Sequence, residues 1–153
     1  MKTINKIDLS YIAAFLDTDG CVTASFGRKT KAGYRIAVPM IIFYNRDLNV
    51  LKWIQSLLGG KIYNKKRTDR KHSIARQLFL RRQKEEVFTA IKLLLPFMKI
   101  KKKQGGLLLS YLQSRIDRGY KYGKHLPPTE EETKMVLKIR ALNQNRLFKN
   151  NQE

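Results

Sequence analysis

The sequence predicts an α+β fold, with a four-stranded antiparallel sheet that carries helices on one of its faces. Apolar residues recur at helical spacing in several stretches of the chain. Between these stretches lie two pairs of shorter segments rich in branched and aromatic residues, and a polar turn joins the segments of each pair. A helix followed by a hairpin therefore occurs twice in succession, which gives an αββαββα core with further helices at the carboxyl end.

The first unit consists of a helix and a hairpin. Residues 9–19 carry apolar side chains on one helical face, and Gly20 ends the helix. Residues 21–28 alternate between apolar and polar, which predicts a strand with one buried and one solvent-exposed face. Residues 34–44 should pair back on it. Both faces of this second strand are apolar, so its register stays open.

The second unit repeats this order. Residues 46–58 resume helical spacing, and a pair of glycines, 59–60, stops the helix. Residues 61–68 and 73–82 then flank a polar turn and predict a second hairpin. A third helix is expected over 85–95, because Pro96 follows as a breaker.

Two more helices complete the chain. The first is expected over 100–116, with a ragged start because it contains two consecutive glycines. Residues 117–128 are rich in Gly, Tyr, Lys and Pro and are typical of a loop. Thr129 with Glu132 three residues later forms a capping box, which predicts a helix running to about Phe148.

The length of 153 residues suggests a single domain, with its core over about 8–116 and a helical extension over about 129–149. The amino-terminal segment is too polar for a signal peptide, and Cys21 is the only cysteine. No run of about 18 apolar residues is present that would cross a bilayer. We therefore expect an intracellular protein without disulfides.

Charge defines the class of partner. Lysine and arginine number 32 against 12 acids, a formal net charge of +20, which exceeds what solubility requires of a small domain. The partner should be a polyanion, and without a membrane-spanning segment nucleic acid is favoured over a membrane. Two histidines and one cysteine cannot form a structural zinc site or a histidine-rich nuclease centre. Any catalysis must therefore depend on carboxylates and lysines.

The first predicted helix ends in two acids, Asp17 and Asp19, followed by Gly20. Carboxylates are disfavoured at the negative end of the helix dipole, so a cation should compensate them. That cation is either a nearby lysine or a metal ion such as Mg²⁺, which prefers oxygen ligands. On spacing alone, such a turn is more often a capped turn than a metal site.

The segment 12–20, Ile-Ala-Ala-Phe-Leu-Asp-Thr-Asp-Gly, resembles the LAGLIDADG signature of the homing endonucleases. In that family two such helices, from two subunits or two half-domains, cross closely and place their terminal acids side by side. The small pair Ala13 and Ala14 is similar to the small residues of that crossing, although Ala14 replaces the usual glycine. Thr18 replaces a small residue whose backbone carbonyl typically contacts the metal.

The resemblance implies a metal site and a dimer. Asp19 and the Thr18 carbonyl would hold Mg²⁺ or Mn²⁺, and Asp19 would be catalytic. A single motif in the chain supplies only one such acid, so the working protein would be a homodimer with this helix packed against itself. The expected interface residues are Ile12, Ala13, Leu16 and Asp17.

Two further segments extend the resemblance. Residues 96–104 are similar to the proline-then-lysine segment after the third helix of the family, in which one lysine points into the active site. Counting from Pro96, Lys101 matches that lysine, and Lys103 is the alternative. Residues 43–47 resemble the strand end whose amide side chain positions metal-bound water in the family. Asn45 is the candidate there, shorter than the usual glutamine.

The second hairpin predicts a DNA-binding surface. It is strongly basic, and side chains at alternate positions of a strand share one face. A two-stranded ribbon fits the major groove of duplex DNA. If Ile62 faces the core, Lys61 and Tyr63 face outward together with polar residues of the first strand. The expected DNA-binding residues are Thr23, Ser25, Lys61, Tyr63, Lys65, Arg67, Arg70 and Gln77.

These observations lead to the hypothesis of a site-specific endonuclease that hydrolyses both strands of a long, roughly palindromic duplex with divalent metal ions. The resemblance further implies an intron-encoded protein. The same scaffold also serves RNA-splicing maturases and regulators that bind DNA or RNA without cleaving it. A basic RNA-binding protein of ribosomal type is a further alternative, but such a protein does not need acids at a helix end.

Overall fold

In the part of the chain that the structure describes, two helix-and-hairpin units are followed by three helices. The computed structural model describes residues 3–65, 75–81, 84–119 and 126–150. Within these ranges the elements are α1 (Lys6–Asp19), β1 (Gly20–Lys29), β2 (Arg35–Asn45), α2 (Leu48–Leu58), β3 (Lys61–Lys65), β4 (Ala75–Leu80), α3 (Lys84–Leu94), a 3₁₀ turn (Leu95–Phe97), α4 (Lys102–Asp117) and α5 (Glu130–Asn150). The predicted α+β fold is confirmed.

The four strands form one antiparallel sheet in the order β1-β2-β4-β3. The register of β2, which the sequence left open, pairs Val22 with Ile41 and Gly20 with Phe43. Ile41 in turn pairs with Leu80 of β4. These inward-facing side chains are fully buried, and they pack with apolar residues of the helices in one core.

Helix α1 begins at Lys6, earlier than the residue 9 expected from its apolar face. Asn5 acts as the N-cap, because its side-chain oxygen accepts a hydrogen bond of 2.8 Å from the backbone N–H of Asp8. Apolar spacing alone does not reveal this cap. At the other end the helix stops at Asp19, as predicted.

Helix α4 begins at Lys102 without the ragged start that its two glycines suggested. Gly105 is buried, and a Cβ atom there would lie 2.9 Å from Leu95 Cδ1 and 3.2 Å from Ile91 Cδ1. The glycine therefore lets α4 approach α3 and the 3₁₀ turn closely. Packing compensates for its low helix propensity.

The capping box at the start of α5 is confirmed. Glu132 N–H donates to Thr129 Oγ1 at 3.1 Å, and Thr129 N–H donates to Glu132 Oε2 at 3.0 Å. Farther along, the Asn143 amide donates to Val22 O at 3.0 Å, which joins α5 to the edge strand β1. None of the helices within the described ranges has the length and apolarity needed to cross a membrane.

Candidate active site and nucleic-acid interface

The candidate site lies where α1 ends and β1 begins. Gly20 allows this junction, because a Cβ atom there would lie 2.8 Å from Leu16 O and 2.9 Å from Ile42 O. Such distances are shorter than a side chain tolerates. The glycine therefore brings the last turn of α1 directly against β2, and Asp19 comes to the edge of the sheet.

Asp17 is a structural residue. Its carboxylate is only 5% exposed and accepts backbone N–H groups of Lys99 at 2.6 Å, Ile100 at 3.0 Å and Lys101 at 3.0 Å. Burial alone would raise the pKa of Asp17, but these three hydrogen bonds and the nearby Lys101 charge outweigh it and lower the pKa. Asp17 thus stays ionised and ties α1 to the segment before α4.

Lys101 provides the cation that the acidic helix end requires. Its side chain is 8% exposed, and its Nζ donates to Leu16 O at 2.9 Å and to Asp17 O at 2.5 Å. An ammonium group at these last carbonyls offsets the negative end of the α1 dipole. Lys103, the alternative from the sequence, is exposed in the first turn of α4. The geometry therefore favours Lys101 as the lysine associated with the two acids.

Asp19 differs from Asp17 in every contact. Its side chain is exposed at the end of α1, and no described residue donates a hydrogen bond to it or pairs with it. An exposed carboxylate at the negative end of a helix attracts a cation, and carboxylate oxygen is a ligand that Mg²⁺ prefers. The neighbouring Thr18 hydroxyl donates back to Ala14 O at 3.0 Å, so this hydroxyl is engaged within the helix.

Asn45 lies at the same end of the β1–β2 pair, two residues beyond Phe43, which pairs with Gly20. Its Oδ1 accepts the backbone N–H of Asp47 at 2.8 Å, and Asp47 in turn caps α2. The amide oxygen therefore shapes the turn into α2. Its Nδ2 donates to no acceptor among the described residues, so this donor can contact a ligand.

Cys21 and Tyr44 also lie beside the site, and no local sequence pattern indicates that either one does. Burial raises the pKa of the Cys21 thiol, against the opposing effect of the Lys101 charge. Burial and the nearby Cys21 raise the pKa of Tyr44 as well. Both groups are therefore neutral near pH 7. Their position becomes visible only once the register places Cys21 opposite Ile42.

The outer face of the sheet carries most of the predicted DNA-binding residues. Thr23 and Ser25 alternate with buried Val22 and Ala24 on β1, and Ile62 packs against the core. The outward set on the other three strands continues this face. It comprises Tyr44, Gln77, Tyr63 and Lys61, with Tyr44 paired to Gln77 and Gln77 paired to Tyr63.

Cations border this outer face. Lys61 Nζ lies 5.5 Å from the centre of the Tyr63 ring, and the Arg81 guanidinium lies 5.8 Å from the Phe79 ring. Lys65 ends β3, but its side chain is outside the described part of the chain, as are the predicted contacts Arg67 and Arg70. The described cations suit a polyanionic ligand.

The predicted dimer interface needs a correction. Ile12, Ala13 and Leu16 are 0% exposed and Asp17 is 5% exposed within a single protomer. These four side chains face the protomer's own sheet and helices, so assigning them to a surface for a second copy was wrong. The opposite face of α1 is the exposed one. It presents Ile7, Tyr11, Ala14 and Thr18, spaced three or four residues apart.

Comparisons with known proteins agree with this geometry. Residues 12–104, which run from the middle of α1 through the sheet to the start of α4, match the sequence profile of the LAGLIDADG endonuclease family. No curated protein matches the chain at a significant level.

Solved structures share the fold. One is I-CvuI in complex with the I-CreI target in the presence of magnesium, with the DNA not cleaved. I-CvuI is 18% identical to this chain and superposes with a TM-score of 0.59, and the match covers 88% of this chain and 95% of I-CvuI. The archaeal intron-encoded homing endonuclease I-Vdi141I, in complex with DNA, is 16% identical with a TM-score of 0.51 over 90% and 98% of the two chains. I-GzeII, a LAGLIDADG homing endonuclease in complex with its DNA target, is 14% identical with a TM-score of 0.60, and the match covers 92% of this chain but 44% of that one.

At these identities the structural similarity shows the fold alone. The sequence match covers more than half of the chain and contains both acids, Gly20, Asn45 and Lys101. The chain therefore belongs to the LAGLIDADG endonuclease family.

Proposed function

We propose that the protein is a site-specific endonuclease that cleaves both strands of duplex DNA as a homodimer with divalent metal ions. The observation that carries the proposal is the contrast between two acids of one helix end. Asp17 is engaged by three backbone N–H groups, whereas Asp19 is exposed at the end of α1. A structural capped turn accounts for Asp17 and leaves Asp19 without a structural role.

The donor set fits a divalent ion. The Asp19 carboxylate and the Thr18 backbone carbonyl would hold Mg²⁺ or Mn²⁺, because both present hard oxygen ligands. When bound, such an ion neutralises charge on the phosphate and lowers the pKa of a bound water. The relative I-CvuI has been observed with DNA in the presence of magnesium and of calcium, which supports this choice.

The protein's own groups position the reaction. Lys101 holds the last carbonyls of α1 and keeps Asp19 at the edge of the sheet, while its positive charge favours a phosphate nearby. The Asn45 Nδ2 would donate a hydrogen bond to a water or a phosphate oxygen. Thr23, Ser25, Tyr63 and Gln77 would contact base edges, and Lys61 would contact phosphate.

Incubation with magnesium and with separate pools of random duplex DNA and of structured RNA tests the proposal. Sequence-selective cleavage of duplexes in both strands is the expected result. Selective binding of structured RNA without cleavage of any duplex would indicate a maturase instead. Unselective binding of both pools without cleavage would indicate a general nucleic-acid-binding protein.

The exposed face of α1 supports the proposed homodimer. Ile7 is 82% exposed and Tyr11 is 55% exposed, which is unusual for large apolar side chains on one helix face. Ala14, next along this face, lets a second helix approach closely. Two copies crossing here would bring two Asp19 side chains near each other and would favour a roughly palindromic target.

Ala14→Arg is expected to convert the dimer to a monomer and to abolish double-strand cleavage. The long charged side chain would hold two crossing helices apart and leave a charge in the contact. Light scattering measures the mass, and a plasmid assay measures cleavage of both strands. Ser110→Arg, on the exposed side of α4, adds the same charge elsewhere and should remain dimeric. A dimeric and active Ala14→Arg protein would refute this interface.

The affinity for DNA is expected to fall steeply with salt. Each phosphate that a lysine or arginine neutralises releases condensed cations, so the logarithm of the binding constant falls with the logarithm of salt concentration. With six or more phosphate contacts, affinity should drop about a thousand-fold or more between about 50 and 200 mM salt. Fluorescence anisotropy measures this slope. Lys61→Ala should reduce the slope by the amount that corresponds to about one phosphate contact. A flat titration would contradict the proposed binding surface.

A further inference from the structure

The outer face of β2 is apolar, although the outward side chains opposite it on β1 are polar. Strand β2 buries Ala37, Ile41 and Phe43 against the core. The alternate residues Val38 and Met40 therefore project from the other side, where both are half-buried. This explains why both faces of this segment are apolar in sequence.

The neighbours of these two side chains are small and polar. Val38 lies opposite Ser25, and Met40 lies opposite Thr23. The next pair along the strand is Cys21 with Ile42, which is flanked on β4 by Phe79. A narrow apolar strip thus runs along β2 beside the short hydroxyl side chains of β1. Strand β4 flanks only its Ile42 end, because β4 pairs with β2 from Ile41 to Asn45.

A partner for this strip must combine a dense negative charge with small apolar groups. The protein carries a net charge of +20, and Arg81 lies over the Phe79 ring at one border of the strip. In the major groove of DNA, the 5-methyl group of thymine is the apolar feature that distinguishes one base from the others. A strip one side chain wide suits a row of such methyl groups better than a broad lipid surface.

We propose that Val38 and Met40 recognise thymine 5-methyl groups, so that the DNA target carries thymines at the base pairs facing β2, with Thr23 and Ser25 supplying the adjacent hydrogen bonds. This inference rests on the proposed function, because it assumes that the outer face enters the major groove. It adds a base preference that the fold and the family do not specify.

The test uses uracil, which differs from thymine only by lacking the 5-methyl group. A preferred duplex is first selected from a random pool, and each of its thymines is then replaced singly by deoxyuridine. For the wild-type protein, binding should weaken about four-fold at each position whose methyl group is buried, the effect expected for one buried methyl. Replacements at thymines outside the β2 contact should leave the affinity unchanged.

Val38→Thr and Met40→Gln then assign the effect to residues. Threonine keeps the shape of valine, and glutamine keeps the approximate length of methionine, but each adds a polar group. Each variant should bind the thymine and uracil duplexes with equal affinity at its own base pair. At the other base pairs it should keep the affinity ratio of the wild type. Leu137→Thr, an exposed apolar position on α5, is the matched control and should keep every ratio. Thermal unfolding confirms that each variant is folded.

The outcomes separate this inference from the proposed function. Selective DNA binding that is indifferent to uracil at every position would overturn the thymine contact and leave the endonuclease proposal standing. Uracil effects that persist unchanged in both variants would also overturn it. Binding to anionic phospholipid vesicles with no affinity for any duplex would overturn both proposals together.

Discussion

Asp19→Asn is expected to abolish DNA cleavage while leaving DNA binding intact. Asparagine keeps the size of the side chain but removes the charge that holds a divalent ion. Loss of even an outer partner of a metal ligand lowers activity by about 10- to 100-fold, so loss of the ligand itself should exceed about 100-fold. Binding should survive, because removing a negative charge beside phosphate reduces repulsion.

Cleavage rates with magnesium and affinities without metal measure the two effects separately. Asp117→Asn is a suitable control, because Asp117 is exposed at the far end of α4 from Lys101 and the change removes the same charge. The control should cleave at the rate of the wild type. If Asp19→Asn also cleaves at that rate, the reaction depends on another group, and the proposed metal site is wrong.

Asp17→Asn should affect stability and cleavage differently from Asp19→Asn. Its carboxylate serves three backbone N–H groups, so its loss should first reduce stability. The two acids can therefore be separated by measuring unfolding and cleavage in parallel.

Glu132→Gln is expected to destabilise the fold by about 3 to 5 kcal/mol, the range found when one partner of a buried ion pair is removed. Glu132 is 0% exposed, and Arg115 opposite it is 1% exposed. The same carboxylate binds Arg118 at 2.9 Å and Ser114 at 2.8 Å. The glutamine would leave the buried arginine charge without its counter-charge at the junction of α4 and α5.

This junction should also make stability depend on pH. Burial alone would raise the pKa of Glu132, but hydrogen bonds from Arg118, Ser114, the Thr129 backbone and Arg115 outweigh it and lower the pKa. A lowered pKa in the folded state means that the stabilisation is complete above the unfolded value, about 4.3. It is lost as pH falls further through the folded value.

Denaturant unfolding between about pH 7 and pH 3 measures this effect. The difference between the wild type and Glu132→Gln should be greatest near neutral pH and should shrink in acid. Glu131→Gln, at the exposed neighbouring position, should change stability by less than about 0.5 kcal/mol. Equal stability of the two variants at neutral pH would show that the buried pair contributes nothing net.

The order of elements could be predicted from the sequence because its signals are local. Alternation over 21–28 marked β1, the two glycines after Leu58 marked the end of α2, and the Thr129–Glu132 box marked the start of α5. Each signal acts within one or two turns of chain. The family could likewise be recognised from the sequence, because the small residues and acids of α1 are contiguous in the chain.

Which of the two acids is buried and which is exposed was decided only by the tertiary structure. Asp17 and Asp19 lie two residues apart on a helix, which turns them about 200° away from each other. The sequence does not state which side faces the core. Packing directs Asp17 toward the backbone of 99–101 and leaves Asp19 exposed. The resemblance, not the spacing, favoured Asp19.

The wrong prediction of the dimer interface on α1 has the same cause. The helix is apolar on the face of Ile12 and Leu16 and also on the face of Ile7 and Tyr11. Its periodicity therefore does not show which face packs in the core and which face is exposed to a second copy. The register of β2 was undetermined for a similar reason, since both of its faces are apolar. The sequence by itself determined the elements and the chemistry available to them. Long-range packing alone decided which of two similar faces is buried, because that choice depends on elements distant in the chain.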